Sequence, residues 1–222
     1  MNILLALLYR DLCEFWNRKR RLYPLVIAPL FPLLACLSKT GLLASRTDIM
    51  RLMYLIIPIY VSLETTLSQT VQYLSSGIYE RYLIDKHIPK ACIVLEKWIL
   101  TAAFSTIALV LSMIVQHILI HFGVVQALSV FNGWIFLDML IVGLISASLG
   151  LLSAVIIRNE KNMYLYMAAL LVVMVAAFLL FQLLGCYSEV ALTVYLVVIA
   201  AGSLTVSRRF FTSARFINRV AG

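Results

Sequence analysis

Long apolar segments alternate with short polar connections along the whole chain. A helix needs about 20 apolar residues to span a bilayer. Six segments approach or exceed that length, at about 22–38, 52–75, 98–121, 134–157, 163–184 and 190–207. No segment between them is long enough for a soluble domain of ordinary size. The pattern predicts an all-α membrane protein, with a domain of six transmembrane helices over residues 22–222.

The first 21 residues have an amphipathic pattern. At about 100° per residue, apolar side chains share one face of a helix and polar side chains share the other. The apolar face carries Leu4, Leu5, Leu8, Tyr9, Leu12, Phe15 and Trp16, and the polar face carries Arg10, Asp11, Glu14, Asn17 and Arg18. The positive charges follow the apolar run, which is the wrong order for a signal peptide. We expect residues 1–21 to form an interfacial helix whose apolar face contacts membrane lipid.

Composition and charge support this class and orient the chain. The chain is 63% hydrophobic, with a mean hydropathy of +1.00. If the six spans alternate in direction, all but three of the 18 Lys and Arg residues fall on one side. The exceptions are Lys39, Arg46 and Arg51. By the positive-inside rule, both termini and the segment between spans two and three are cytoplasmic. The net charge of +8 then reflects topology and contact with anionic lipid, so we expect no nucleic-acid partner.

Two spans carry residues that indicate helix geometry. Pro24, Pro29 and Pro32 should kink or unwind the first span, because proline lacks an amide hydrogen. Span four has small residues at helical spacing, which allow close packing of helices in a membrane. They are Gly143, Ser146, Ala147, Gly150 and Ala154. The four cysteines show no paired spacing, so no metal site is expected.

Span two carries a polar stripe. Its members with the strongest hydrogen-bonding groups are Glu64, Ser68, Gln69 and Gln72. An acid in mid-span costs roughly 3 kcal/mol on insertion scales, so this stripe must face protein or water. Two interpretations remain open. The stripe either makes a polar contact between helices or lines a substrate path.

The connection between spans two and three, "SSGIYERYLIDKHIPKACIVLEKW" (75–98), is unusually charged for this chain. It combines apolar and charged side chains, as expected of a short helix that docks on a partner through an apolar face with a charged rim. The chain has no phosphate-binding loop of the form G-x-x-x-x-G-K-[ST], no G-x-S-x-G and no H-E-x-x-H. The sequence therefore predicts that the chain is not an enzyme by itself.

This connection resembles the loop between spans two and three of type-two exporter permeases of the ATP-binding-cassette superfamily, which export polysaccharides, drugs and peptides. Their pattern reads roughly G-[TS]-L-E-x-L-L-x-x-P-[IL]-S-R-x-x-I-L-L-x-K. The first half is matched here by Gly77, Glu80, Tyr82 and Leu83, and the second by Lys90, Ile93 and Lys97, with one extra residue between the halves. Gly77-Ile78-Tyr79 stands where that family has Gly-Thr-Leu, and the proline comes later, as Pro89.

The resemblance implies a permease subunit that forms a translocation path and binds a separate cytoplasmic ATPase. The segment at about 76–97 would be its coupling helix. Residues expected to contact or position the ATPase are Gly77, Tyr79, Glu80, Arg81, Tyr82, Leu83 and Lys90. ATP and magnesium would be bound by the ATPase, with no cofactor in this chain. Two ATPase copies and a second, identical or homologous permease would complete the complex, in a bacterial cytoplasmic membrane.

Three other functions remain open from the sequence. The first is the membrane subunit of the haem-export machinery of cytochrome c maturation, which has a similar size and number of spans. The second is a proton-coupled secondary transporter that uses Glu64. The third is a scaffold for a membrane complex that transports nothing. An ATPase gene beside this one would favour the exporter.

Overall fold

The computed structural model describes residues 3–17, 23–32, 46–80, 88–123 and 132–156, together with 165, 168, 172, 176, 193, 194, 196–203 and 205. These residues form helices and short turns, with no strand among them. The elements are α1 (Ile3–Asn17), α2 (Tyr23–Ile27), α3 (Arg46–Ser62), a π-helical segment (Leu63–Ser68), α4 (Gln69–Ser75), α5 (Ile78–Glu80), α6 (Lys90–His121) and α7 (Gly133–Ile156). The predicted all-α class is confirmed for this part of the chain.

Three described helices are long and apolar enough to cross a membrane. They cover Met50–Ser75, Ala91–His121 and Gly133–Ala154, and they correspond to the predicted spans two, three and four. Most of the predicted spans five and six lies outside the described residues. Six spans with cytoplasmic termini therefore stay a prediction. The predicted sixth span contacts α7 at Thr193, whose hydroxyl donates a hydrogen bond to Asp138 Oδ1 at 2.6 Å.

The first predicted span begins as an interrupted helix. α2 ends at Ile27 and is followed by a turn at Ala28 and Pro29. The Ala28 amide donates to the Pro24 carbonyl at 2.9 Å, whereas Pro29 has no amide hydrogen with which to extend the ladder. The interruption expected from the prolines is confirmed over residues 23–32. Residues 33–38 lie outside the described part.

The core lies where α7 packs along α3, the π-helical segment and α6. Two glycines of α7 permit this approach. A Cβ on Gly143 would lie 3.4 Å from Pro58 Cβ, and one on Gly150 would lie 3.3 Å from Thr66 Cγ2. The predicted small-residue packing face of span four is confirmed by these contacts and by the burial of Ala147.

The N-terminal helix α1 packs on α6. The rings of Phe15 and Phe104 lie 4.9 Å apart between centroids. The opposite face of α1 is a row of exposed apolar side chains at Leu5, Tyr9, Leu12 and Trp16. Such a row suits the predicted contact with membrane lipid, which stays a prediction.

The long helix of predicted span two, Met50–Ser75, is followed by a left-handed glycine. The Ser76 amide donates to the Gln72 carbonyl at 2.9 Å, and Gly77 follows with φ of +68°. A residue with a side chain is strained in this conformation, whereas glycine adopts it freely. Gly77 thus turns the chain sharply into α5, at the start of the loop over 76–97.

Candidate functional site

A buried ammonium group lies near the start of α6, where the loop over 76–97 ends. The side chain of Lys97 is 0% exposed. Its Nζ donates to Asp11 Oδ2 at 2.5 Å, to Gln69 Oε1 at 2.5 Å and to Glu96 Oε1 at 3.2 Å. A lysine ammonium has three hydrogens, so each has an acceptor. Lys97 therefore joins α1, α4 and α6 at one point.

The carboxylate of Asp11 completes this junction from α1. It is also 0% exposed, and its Oδ1 accepts hydrogen bonds from Arg10 Nε at 2.7 Å and from the Tyr73 hydroxyl at 2.8 Å. The Tyr73 hydroxyl also lies against the carboxylate of Glu14 and accepts a hydrogen bond from Gln69 Nε2 at 2.9 Å. We call these residues the buried polar cluster. Its members are Arg10, Asp11, Glu14, Gln69, Tyr73, Glu96 and Lys97.

The positive charges of the cluster stabilise the carboxylate of Asp11. Burial alone would raise the pKa of Asp11, but the positive charges of Lys97 and Arg10 and the hydrogen bonds to its oxygens hold that pKa well below its usual range. The guanidinium carbon of Arg10 lies 4.5 Å from the Tyr73 ring centroid, and Lys97 Nζ lies 5.1 Å from it. Removing one partner of a buried ion pair typically costs about 3–5 kcal/mol, because the other charge is left unpaired.

The beginning of the loop is anchored beside the same cluster. Tyr79, in α5, is 1% exposed, and its ring packs edge-on against Tyr73 at 5.5 Å between centroids. Its hydroxyl lies 3.4 Å from Thr70 Oγ1, and burial raises the pKa of Tyr79 to about 12. Glu96 and Lys97 anchor the other end of the loop. Both ends of the 76–97 segment are therefore fixed to one buried site.

The structure describes only part of the predicted ATPase-coupling set. Gly77 forms the turn, and Tyr79 points into the core, where it anchors the loop instead of offering an exposed docking surface. The backbone of Glu80 ends α5 and that of Lys90 begins α6, with their side chains outside the described part. Arg81, Tyr82 and Leu83 also lie outside the described residues.

The predicted polar stripe of span two divides into two faces. Glu64, Ser68 and Gln72 follow one another at intervals of four residues and are half-buried. Gln69 lies on the other face, fully buried, where it hydrogen-bonds Lys97 and Tyr73. The structure brings the first three together in one row and places Gln69 in the buried polar cluster.

The π-helical segment lies between α3 and α4, at the level of Glu64. A π-helical turn contains more residues than an α-helical one, and such segments are frequent at functional sites. Here the hydroxyls of Thr65 and Thr66 both face Thr101 of α6, at 2.9 and 3.1 Å between oxygens. Thr66 also packs against Gly150. These contacts fix the buried side of the segment, whereas Glu64, Ser68 and Gln72 are only half-buried.

Sequence reasoning missed the buried polar cluster as a site. It placed Asp11 on the water-exposed face of α1, whereas the structure buries this side chain between Leu7 and Phe15 on the packed face. The available signal was the apolar residue four positions before Asp11 and the one four positions after it. Within the described part, no group of three or more His, Cys, Asp or Glu side chains could hold a metal ion.

Comparison with known proteins identifies the family. A family model described as ABC-2 type transporter matches residues 3–178, which include α1, the three long helices and the loop over 76–97. No curated protein and no solved structure is significantly similar to the chain. The match covers well over half of the 222 residues. The chain belongs to the ABC-2 type transporter family and is an integral membrane permease subunit.

Proposed function

We propose that this permease subunit works in an ATP-driven exporter. Two permease copies, or this chain and a homologue, form the translocation path. Two copies of a cytoplasmic ATPase bind ATP and magnesium and dock on the 76–97 loops. The observation that carries the proposal is that both ends of this loop are anchored to the same buried polar cluster, at Tyr79 and at Lys97.

Because both of its ends are anchored, the loop can transmit movement of a docked ATPase to the membrane helices. A loop with loose ends would absorb the movement of a docked ATPase in its own backbone. Here Gly77 sets the entry turn, Tyr79 packs on Tyr73 of span two, and Lys97 belongs to α6. A displacement of the loop by ATPase closure is therefore passed to spans two and three.

The docking contacts themselves come from the middle of the loop. Tyr82 and Leu83 supply apolar area, and Glu80, Arg81 and Lys90 supply a charged rim. Apolar area contributes affinity, and charge complementarity fixes register and partner choice. In this scheme Gly77 and Tyr79 position the docking residues from the membrane side.

The row of Glu64, Ser68 and Gln72 supplies the polar lining of the path. Its side chains are half-buried, whereas the neighbouring Thr65, Thr66 and Gln69 are fully buried against other helices. Polar groups inside a membrane face protein neighbours or water-filled cavities. A path between two permease copies satisfies that requirement and gives the row contact with the transported molecule.

Co-purification tests this proposal. The chain, carrying an affinity tag, is expressed with a candidate partner ATPase from the same organism and purified in mild detergent. We expect the two proteins to purify together and the variant Glu80→Lys/Tyr82→Ala to lose the ATPase while still inserting into the membrane. A matched control is Phe122→Ala/Gln126→Lys, in the predicted outer loop between spans three and four, which should keep the ATPase.

Two results would contradict the proposal. The first is a loop variant that retains the ATPase at wild-type yield, because docking would then use another surface. The second is a chain that purifies without any ATPase and moves protons through Glu64. That result would favour a secondary transporter.

A further inference from the structure

The buried polar cluster joins elements that are far apart in the sequence. Lys97 and Asp11 are 86 residues apart, and Lys97 and Gln69 are 28 apart. We propose that α1, α4 and the beginning of α6 form one rigid joint, held closed by the Asp11–Lys97 ion pair throughout the transport cycle. This inference rests on the proposed function. It adds that α1 moves together with spans two and three when ATPase closure displaces the 76–97 loop.

The ion pair favours a joint that stays closed. Both side chains are 0% exposed, and all three hydrogens of the Lys97 ammonium have acceptors. If α1 separated from α6, both charges would lose their partners in a poorly solvated site. The cost of unpaired buried charge is large. ATP-driven movement should therefore deform weaker contacts elsewhere and leave this junction intact.

A second contact prevents α1 from turning about the ion pair. The rings of Phe15 and Phe104 meet one helical turn further along α1 and two turns further along α6. Two contacts on each helix resist rotation, whereas a single contact would act as a pivot. Tyr73 closes the third side, since its hydroxyl bonds Asp11 and its ring lies over Arg10 and Lys97.

Distances between spin labels test the joint directly. Tyr9 on the outward face of α1 is 70% exposed, and Ile99 on α6 is 42% exposed, so labels at these positions should leave the fold unchanged. Both are replaced by cysteine in a background without the native cysteines. The doubly labelled chain is placed in one copy of the permease–ATPase complex in lipid nanodiscs. Double electron–electron resonance then gives the Tyr9–Ile99 distance without nucleotide and with ATP trapped by vanadate.

A second measurement shows whether the complex has switched state. With Tyr9→Cys alone in both copies, the distance between the two labels should change when ATP is trapped. The rigid joint predicts that the Tyr9–Ile99 distance within one copy stays the same under those conditions. A change in the Tyr9–Ile99 distance would overturn the inference and leave the proposed function standing. No change between the two copies would overturn the proposed function, and this inference with it.

A charge variant tests the cause. Asp11→Asn keeps the size of the side chain and removes the negative charge that faces Lys97. We expect a broader distribution of Tyr9–Ile99 distances, with the mean shifted when ATP is trapped, whereas Asn17→Ser, at an exposed position of α1 outside the cluster, should leave the distribution narrow. An unchanged distribution in Asp11→Asn would show that the ion pair is not what holds the joint.

Discussion

The variant Lys97→Met should strongly destabilise the folded protein. Methionine has a length similar to that of lysine, so the packing of the side-chain stem is largely kept while the ammonium is lost. Asp11, Glu96 and Gln69 then lose the donor that they share. Breaking a buried ion pair from one side costs about 3–5 kcal/mol. For a chain of this size, that corresponds to a fall in Tm of roughly 6–20 °C.

A double-mutant cycle separates the pair from its surroundings. Asp11→Asn and Lys97→Met each remove one charge of the pair and leave the other buried without its partner. The double variant removes both charges. We expect the double variant to be more stable than the sum of the single effects predicts, because the two residues are in direct contact. The control is Arg10→Gln. Arg10 is 27% exposed, so its ion pair with Asp11 should contribute about 1 kcal/mol or less.

The assay is thermal unfolding of purified protein in one detergent, followed by intrinsic tryptophan fluorescence. Since the pKa of Asp11 is lowered in the folded protein, its charge adds stability above the unfolded pKa of about 4. The contribution of the Asp11 charge to the Tm gap between wild type and Asp11→Asn should therefore be lost as the pH falls below that value. A Lys97→Met variant no less stable than Arg10→Gln would refute this account of the cluster.

The remaining predictions concern the path, the packing of span four and the topology. Gln72→Leu should lower transport per folded molecule more than it lowers Tm. Gln69→Leu should lower Tm, because it removes the amide that accepts a hydrogen bond from Lys97 and donates one to Tyr73. Buried hydrogen bonds lost in this way cost about 1–3 kcal/mol each. If Gln72→Leu mainly lowered Tm and Gln69→Leu mainly lowered transport, Gln69 would line the path and Gln72 would be the structural residue. Gly150→Val should cost about 1–3 kcal/mol through its clash with Thr66, whereas Gly202→Val, with open space around it, should be neutral in the same melting assay. Single cysteines in the two outer loops should react with an impermeant maleimide from outside, and one after span four should not. These positions are Ser45, Gln126 and Asn159. If only the cysteine at Asn159 reacted from outside, the topology would be the reverse of the predicted one.

Features that depend on neighbouring residues in the sequence could be predicted. The apolar runs located spans two to four, the prolines located the break after Ile27, and the small residues located the packed face of α7. Each of these follows from local chemistry. The length of an apolar run and the lack of an amide hydrogen have the same consequence in any membrane helix.

Features that depend on distant partners could not be predicted. Nothing near Asp11 in the sequence shows that Lys97 neutralises it, so a helical projection assigned its carboxylate to water. An ideal helical projection, with a constant 100° per residue, also does not apply through span two. The π-helical segment Leu63–Ser68 has wider turns, which rotate the residues beyond it relative to that projection. Gln69 lies in the buried polar cluster, apart from the row of Glu64 and Gln72, where its side-chain amide accepts a hydrogen bond from Lys97 and donates one to Tyr73.

ATP hydrolysis by the reconstituted complex tests most directly whether the permease is coupled to an ATPase through its loop. The chain and a candidate partner ATPase from the same organism are placed in proteoliposomes, and hydrolysis is compared with that of the ATPase alone. The same comparison is made with Glu80→Lys/Tyr82→Ala. The account predicts that the wild-type chain changes the rate of hydrolysis and that the loop variant restores the rate of the ATPase alone. An identical rate with and without the wild-type chain would contradict it.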